Sequence, residues 1–182
     1  MRPFISMYRF IDTIARPCFA GNGGGCDRAR LSLMEKGDLA GDFELQDATG
    51  TPRRLSEFLA KGRVVLFFYP AAMSAGCTQE SCHFRDLAGE FVAAGGQRIG
   101  ISHDTVAKQR QFAERHSLGY PLLSDPEGTV ARQFGVNTRF GIIPVKRWTF
   151  VIGSDGRVID VIKSGTNMKV HADRALEVLR QT

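Results

Sequence analysis

The run Val64-Val65-Leu66-Phe67-Phe68-Tyr69-Pro70-Ala71-Ala72-Met73-Ser74-Ala75-Gly76-Cys77-Thr78-Gln79-Glu80-Ser81-Cys82 decides the reading of this chain. Val64 to Phe68 is continuously apolar, the mark of a central strand covered on both faces. Pro70 ends it, and beyond Cys77 the residues Phe84, Leu87, Ala88 and Phe91 fall at helical spacing until Gly95-Gly96 closes the element. Cys77 therefore stands where a strand gives way to a helix. The first N–H groups of a helix lack intrahelical partners and carry about half a positive charge, so a sulfur placed there is favoured as thiolate.

Outward from this junction, strand and helix alternate. On the amino-terminal side, Phe43 and Leu45 alternate with polar residues, Asp47-Ala48-Thr49-Gly50 turns the chain, and Ser56 is expected to cap a short helix through Leu59. On the other side, Arg98 to Ser102 reads as a second strand and Val106 to His116 as a helix. Pro121 to Ser124 reads as a third strand at the edge, and Thr129 to Phe134 as a short helix. Trp148 to Ile152 and Val158 to Ile162 form a hairpin about Gly153-Ser154-Asp155-Gly156, and a helix from about His171 to Arg180 closes the domain. The order βαβ followed by ββα is that of an α/β, thioredoxin-like fold, a central mixed sheet flanked by helices, with an added amino-terminal hairpin.

The chain of 182 residues, 43% of them hydrophobic, is long enough for one domain with a real core. Its net charge of +5 is uneven: in residues 1–33, five arginines against Asp12 and Asp27 supply three of the five charges. The rest is nearly balanced and has no basic run interleaved with aromatics, so nucleic acid is not an expected partner. Residues 1–33 are expected to be an extension that is disordered or not translated, with Met34 opening the domain 34–182. A surface-bound or transit helix is the alternative, from Arg2, Arg9 and Arg16 spaced among apolar residues. No stretch approaches the roughly 20 apolar residues of a membrane span, so no membrane partner is expected. Four cysteines, two of them Cys18 and Cys26 in the extension, are too few for a disulfide scaffold, and a reducing cytoplasm fits.

Cys77 and Cys82 lie five residues apart. On a continuous helix that spacing rotates the two by about 140° and separates their Cα atoms by about 8.7 Å, beyond the ~7 Å that a disulfide spans. If both are helical when reduced, bonding them unwinds a turn or more. Such spacing suits a thiol that is oxidised alone first and captured by its neighbour afterwards, the order of events in peroxide chemistry.

Pro70-x-x-x-Ser74-x-x-Cys77, with a distant Arg147 before Trp148-Thr149-Phe150, resembles the active-site motif of the peroxiredoxins. The C-x4-C spacing, Cys82-His83-Phe84-Arg85-Asp86-Leu87 and Gly100-Ile101-Ser102-x-Asp104 make the chain similar to the peroxiredoxin Q, or bacterioferritin comigratory protein, subfamily from about Lys36 to the carboxyl terminus. The resemblance implies a peroxidase acting on hydrogen peroxide and organic hydroperoxides. Cys77 would be the peroxidatic nucleophile and Cys82 the resolving thiol. Ser74 would bond peroxide or thiolate, Pro70 would shield the sulfur, and Arg147 would hold the thiolate and polarise the peroxide. It further implies recycling by thioredoxin or a related dithiol, with no cofactor, in a monomer or weak homodimer.

The loop departs from the commoner Thr-Pro-Gly-Cys. Serine loses a methyl and Ala75 a fixed φ, so greater mobility and a lower rate are expected. Phe140 to Pro144 is expected to form an exposed apolar loop. His83 beside Cys82 invites a zinc site, but no further ligands stand at metal spacing, so no metal is expected. His103, His116 and His171 read as surface residues, and Asp104 serves equally as a strand-end cap and is left outside the site. Two other functions share these residues: a thioredoxin-like disulfide oxidoreductase, and a non-enzymatic redox sensor using the same disulfide.

Overall fold

A computed structural model describes residues 33–138 and 144–182. The expectations for Cys18, Cys26 and the amino-terminal extension through residue 32, and for residues 140–143 of the apolar insert, lie outside the described residues. The elements, in chain order, are β1 (Glu44–Asp47), β2 (Pro52–Arg54), α1 (Leu55–Leu59), β3 (Arg63–Phe68), α2 (Ala75–Asp86), α3 (Ala88–Ala93) and β4 (Gly96–Ser102). They continue with α4 (Val106–His116), β5 (Leu122–Ser124), α5 (Thr129–Gln133), β6 (Trp148–Ile152), β7 (Val158–Lys163) and α6 (Val170–Gln181).

The strands form one seven-stranded mixed sheet in the order β2-β1-β5-β4-β3-β6-β7. β3 lies at its heart, parallel to β4 and antiparallel to β6, with Phe68 opposite both Ile101 and Trp148. Alternation along β3 splits the core in two. Val64, Leu66 and Phe68 pack on one face with Leu55, Phe58, Val130 and Phe134. Val65, Phe67 and Tyr69 pack on the other with Cys77, Phe84, Phe91, Phe112 and Leu176. The thioredoxin-like arrangement with an added hairpin is thus the observed one.

Three details differ from the sequence reading. The strand ending at Ser124 is not at an edge: β1 pairs with it antiparallel, Gln46 opposite Ser124, so the added hairpin covers the open ladder. The helix after Cys77 is two helices, with a break at Leu87 (ψ 18°); this lets both Phe84 and Phe91 be fully buried, the first stacked on Phe67 at 4.3 Å between ring centroids. Ser56 lies inside α1 rather than at its cap. Its N–H and hydroxyl both bond to Asp42, at 2.9 and 3.0 Å, so a carboxylate from upstream serves the helix start.

Candidate active site

The site is built where β3 hands over to α2. Cys77 is the third residue of α2 and is fully buried against the second core. Ser74 stands at the N-cap position with extended backbone, but its side chain does not cap the helix; its hydroxyl donates to the Ala71 carbonyl at 3.0 Å. Pro70 follows the fully buried Tyr69 and is half-buried at the strand's end. Arg147 precedes β6 and is held there by its neighbour: the Lys146 N–H donates to the Val136 carbonyl at 2.8 Å. Because β6 pairs with β3, this register carries an arginine 70 residues away to the nucleophile, and its Nη2 donates to Cys77 Sγ at 3.3 Å. A donor aimed at sulfur is strongest when the sulfur is anionic.

Gly76, the residue before the nucleophile, lies between two side chains: a Cβ there would make ordinary contact with both Arg147 Nη2 and the thioether sulfur of Met168, each at 3.4 Å.

The other nitrogen of the guanidinium, Nη1, donates to Glu80, one turn beyond Cys77 and fully buried. Burial pushes the Glu80 carboxyl up to about 8, against the pull of the Arg147 charge and hydrogen bond. One guanidinium therefore serves two buried groups, the Glu80 carboxyl through Nη1 and the Cys77 sulfur through Nη2. Among the described residues Oε1 of Glu80 has no hydrogen-bond partner, and it faces Nδ1 of His171 at 3.8 Å. His171 Nε2 lies 3.0 Å from the Ser164 carbonyl, which can only accept, so Nε2 carries the hydrogen and Nδ1 accepts from the Thr149 hydroxyl at 3.0 Å. Burial and the nearby Arg147 charge lower the His171 pKa against the Ser164 bond, which keeps the ring neutral.

His171 is thus a correction to the sequence reading, which placed it on the surface: it is fully buried in the first turn of α6. Glu80 was missed altogether. Its signal was the three-residue spacing from Cys77, which puts both on one face of a helix.

Cys82 lies on the same unbroken helix as Cys77, half-buried, and both thiols are free. The stretch around it is tied from several sides. Tyr120 donates to the Ser81 carbonyl at 2.9 Å and Arg98 to the Phe84 carbonyl at 2.7 Å. Arg85 donates to the His116 carbonyl at 2.6 Å, and His83 Nε2 lies 2.7 Å from Asp173 Oδ1. The structure therefore brings Cys77 and Arg147 into contact, sets Cys82 on a tethered half-helix, and commits the Ser74 hydroxyl to the loop itself. Among the described residues no cluster of three His, Cys, Asp or Glu side chains is placed to hold a metal, and no helix is long and apolar enough to cross a membrane.

The chain matches the AhpC/TSA family over residues 36–161. It is similar to the crystal structure of peroxidoxin BcpB from Mycobacterium tuberculosis, 59% identical with a TM-score of 0.79, covering 81% of this chain and 97% of that one. It is also similar to Xanthomonas campestris peroxiredoxin Q, 29% identical with a TM-score of 0.70, covering 76% and 90%. The chloroplastic peroxiredoxin Q of Oryza sativa subsp. japonica is 36% identical over 158 residues, 86% of this chain and 71% of that protein. A thioredoxin-like sheet carrying a buried cysteine under an arginine defines the class, a thiol-dependent peroxidase. The chain belongs to the AhpC/TSA family, in its peroxiredoxin Q or bacterioferritin comigratory protein branch.

Proposed function

We propose that residues 34–182 form the peroxidase domain and reduce hydrogen peroxide and organic hydroperoxides by a two-cysteine cycle. The Cys77 thiolate attacks one peroxide oxygen and the O–O bond breaks. The sulfur becomes sulfenic acid, and the departing alkoxide or hydroxide takes a proton to leave as alcohol or water. Arg147, already donating to the sulfur, is placed to polarise the peroxide. Pro70 shields the sulfur at the strand's end, and Ser74 exchanges its bond to Ala71 for one to the peroxide.

The Cys82 thiol then attacks the sulfenic sulfur, forming the Cys77–Cys82 disulfide and releasing water. A thioredoxin-type dithiol reduces the disulfide, its own two thiols becoming the new disulfide. The enzyme acts as a monomer or weak homodimer in a reducing cytoplasm.

The observation that carries this reading is the 3.3 Å contact between Arg147 and Sγ in the first turns of a helix that also bears Cys82. Because these hydrogen bonds gather at Ser81 to Arg85, Cys77 is the thiol that travels and Cys82 the one that waits. An oxidoreductase of the C-x-x-C type would instead keep both thiols within one turn.

Intact mass after one equivalent of peroxide tests the cycle. A loss of two hydrogens mapped to a Cys77–Cys82 peptide is expected in the parent. Cys82→Ser should retain the single-turnover reaction and lose recycling by dithiols. Oxidation of Cys77 no faster than that of free cysteine, or equal steady-state turnover by parent and Cys82→Ser, would sink the proposal.

A further inference from the structure

The segment from Pro70 to Ser74 joins β3 to the helix that carries Cys77, and Met73 within it has φ +70°. That left-handed backbone is unfavourable for a residue with a Cβ and persists where the surroundings over-determine it. Two of the segment's bonds are internal: the Ser74 N–H and hydroxyl both reach the Ala71 carbonyl, at 3.4 and 3.0 Å. Beyond the Ser74 carbonyl, which accepts from the Thr78 N–H of α2 at 2.8 Å, the hydrogen bond that ties it to the fold among the described residues comes from the Ala72 N–H, which donates to Asp104 Oδ2 at 2.6 Å.

Asp104 is itself firmly set. Its side chain is 9% exposed, Oδ2 also accepts from the Ser102 hydroxyl at 2.8 Å, and Oδ1 lies 2.6 Å from Lys108 Nζ. Its backbone carbonyl accepts from the Ser124 hydroxyl at 2.7 Å, and its N–H donates to Ser102 Oγ at 3.2 Å. Ser102 Oγ also accepts from Gln109 Nε2 at 3.0 Å, and Gln109 Oε1 in turn accepts from the Tyr69 hydroxyl. With both its lone pairs taken, the Ser102 hydroxyl has one place for its hydrogen, the Asp104 carboxylate. A closed polar circuit therefore leaves the sheet at Tyr69, passes through α4 and the end of β4, and returns at Ala72, three residues further along the chain.

We propose that Asp104 is a positioning residue for the peroxidatic loop: its carboxylate holds Ala72, and through it the strained turn at Met73, so that α2 begins with Sγ against Arg147. The proposal rests on the peroxidatic reading of Cys77. A clamp at this point acts oppositely on the two halves of the cycle. It holds sulfur and arginine together for attack on peroxide, and it resists the departure of Cys77 toward Cys82.

Stopped-flow measurements on the full chain, following the fluorescence of Trp148, the single tryptophan, read the two phases separately. Asp104→Ala is expected to lower the second-order rate of Cys77 oxidation about 10- to 100-fold, the scale on which small misplacements act. It is expected to raise the first-order rate of disulfide closure several-fold. Asp104→Asn keeps one oxygen that accepts from Ala72 and Ser102, while its amide nitrogen displaces the exposed Lys108 ammonium toward solvent, so both its rates should stay much nearer the parent's than those of Asp104→Ala.

Parent-like oxidation by Asp104→Ala overturns the proposal, as do two rates that fall together in the manner of general destabilisation, or an Asn variant as impaired as the Ala variant. Should Asp104→Ala fail to fold, Ser102→Ala takes its place, removing one donor from the same carboxylate; the same opposed shifts, smaller, are expected, and parent-like rates there overturn the proposal. If the parent itself reacts no faster than free cysteine, the peroxidatic reading falls and the clamp with it. A fast parent with a parent-like Asp104→Ala removes the clamp alone.

Discussion

Arg147 faces two groups at once, and replacing it by methionine separates what it does for each. Nη1 serves a fully buried carboxyl, Glu80, and Nη2 serves Cys77 Sγ. Because burial pushes Glu80 up to about 8, at pH 6 to 7 the group left behind is a neutral acid that has lost a donor, at about 1–3 kcal/mol. At pH 9 the parent holds the carboxylate, and stranding that charge costs about 3–5 kcal/mol. The stability penalty of Arg147→Met should therefore grow with pH, and urea unfolding at pH 6, 7 and 9 measures it. Adding Glu80→Gln removes the titrating group, so the double variant should recover most of the stability and lose the pH dependence. The rate is another matter. Loss of one preorganised donor at the reacting centre costs about 10²–10³-fold, and the double variant still lacks that donor, so stopped-flow oxidation of Cys77 should stay slow in both. A double variant that oxidises within tenfold of the parent would refute the reasoning, since Arg147 would then serve only to neutralise Glu80. A penalty flat with pH would refute the other half.

The remaining predictions address the helix and the buried acid. Forming the Cys77–Cys82 disulfide must unwind a turn or more of α2, so far-UV circular dichroism should lose roughly a tenth of its helical signal and regain it on reduction; an unchanged spectrum with the disulfide proven by mass would mean that another geometry joins the thiols. Glu80 has a folded pKa raised above its ordinary value. Its contribution to stability is therefore fully present below about pH 4.5 and is lost as pH rises toward about 8. Denaturant titrations across that window should show a downward slope in the parent that Glu80→Gln flattens, and equal slopes would exclude Glu80 as its source. Phe84→Ala removes a fully buried ring stacked on Phe67 and should cost about 3–5 kcal/mol by chemical denaturation; a cost below about 1 kcal/mol, the scale of a surface change, would show that the site collapses without the ring.

The parts of the fold that could be read in advance are those written within a few residues. Val64 to Phe68 reads as a doubly covered strand because all its side chains are apolar, and the observed β3 packs its alternate residues into two cores. The helix Val106–His116 is observed with the bounds its pattern indicates, and Thr105 accepts from the Lys108 N–H at its start. The readings that failed concern partners. The edge assigned to Pro121–Ser124 is covered by β1, Ser56 turned to Asp42, and the single helix after Cys77 breaks at Leu87. Periodicity states that a face is buried, not what buries it.

The active site divides along the same line. By itself the sequence determined the strand-to-helix junction, the place of Cys77 in the first turns of the helix, and the five-residue spacing that sets an intact helix against a Cys77–Cys82 bond, because each follows from local geometry. Only the tertiary structure decided that Arg147 would stand 3.3 Å from the sulfur, that its other nitrogen would hold Glu80, and that His171 would be buried opposite that acid. Those contacts depend on the register of β6 on β3 and on the packing of α6 against β6, β7 and α2. Register and packing are settled by many weak contacts summed across the whole sheet, and no short stretch of the chain carries them.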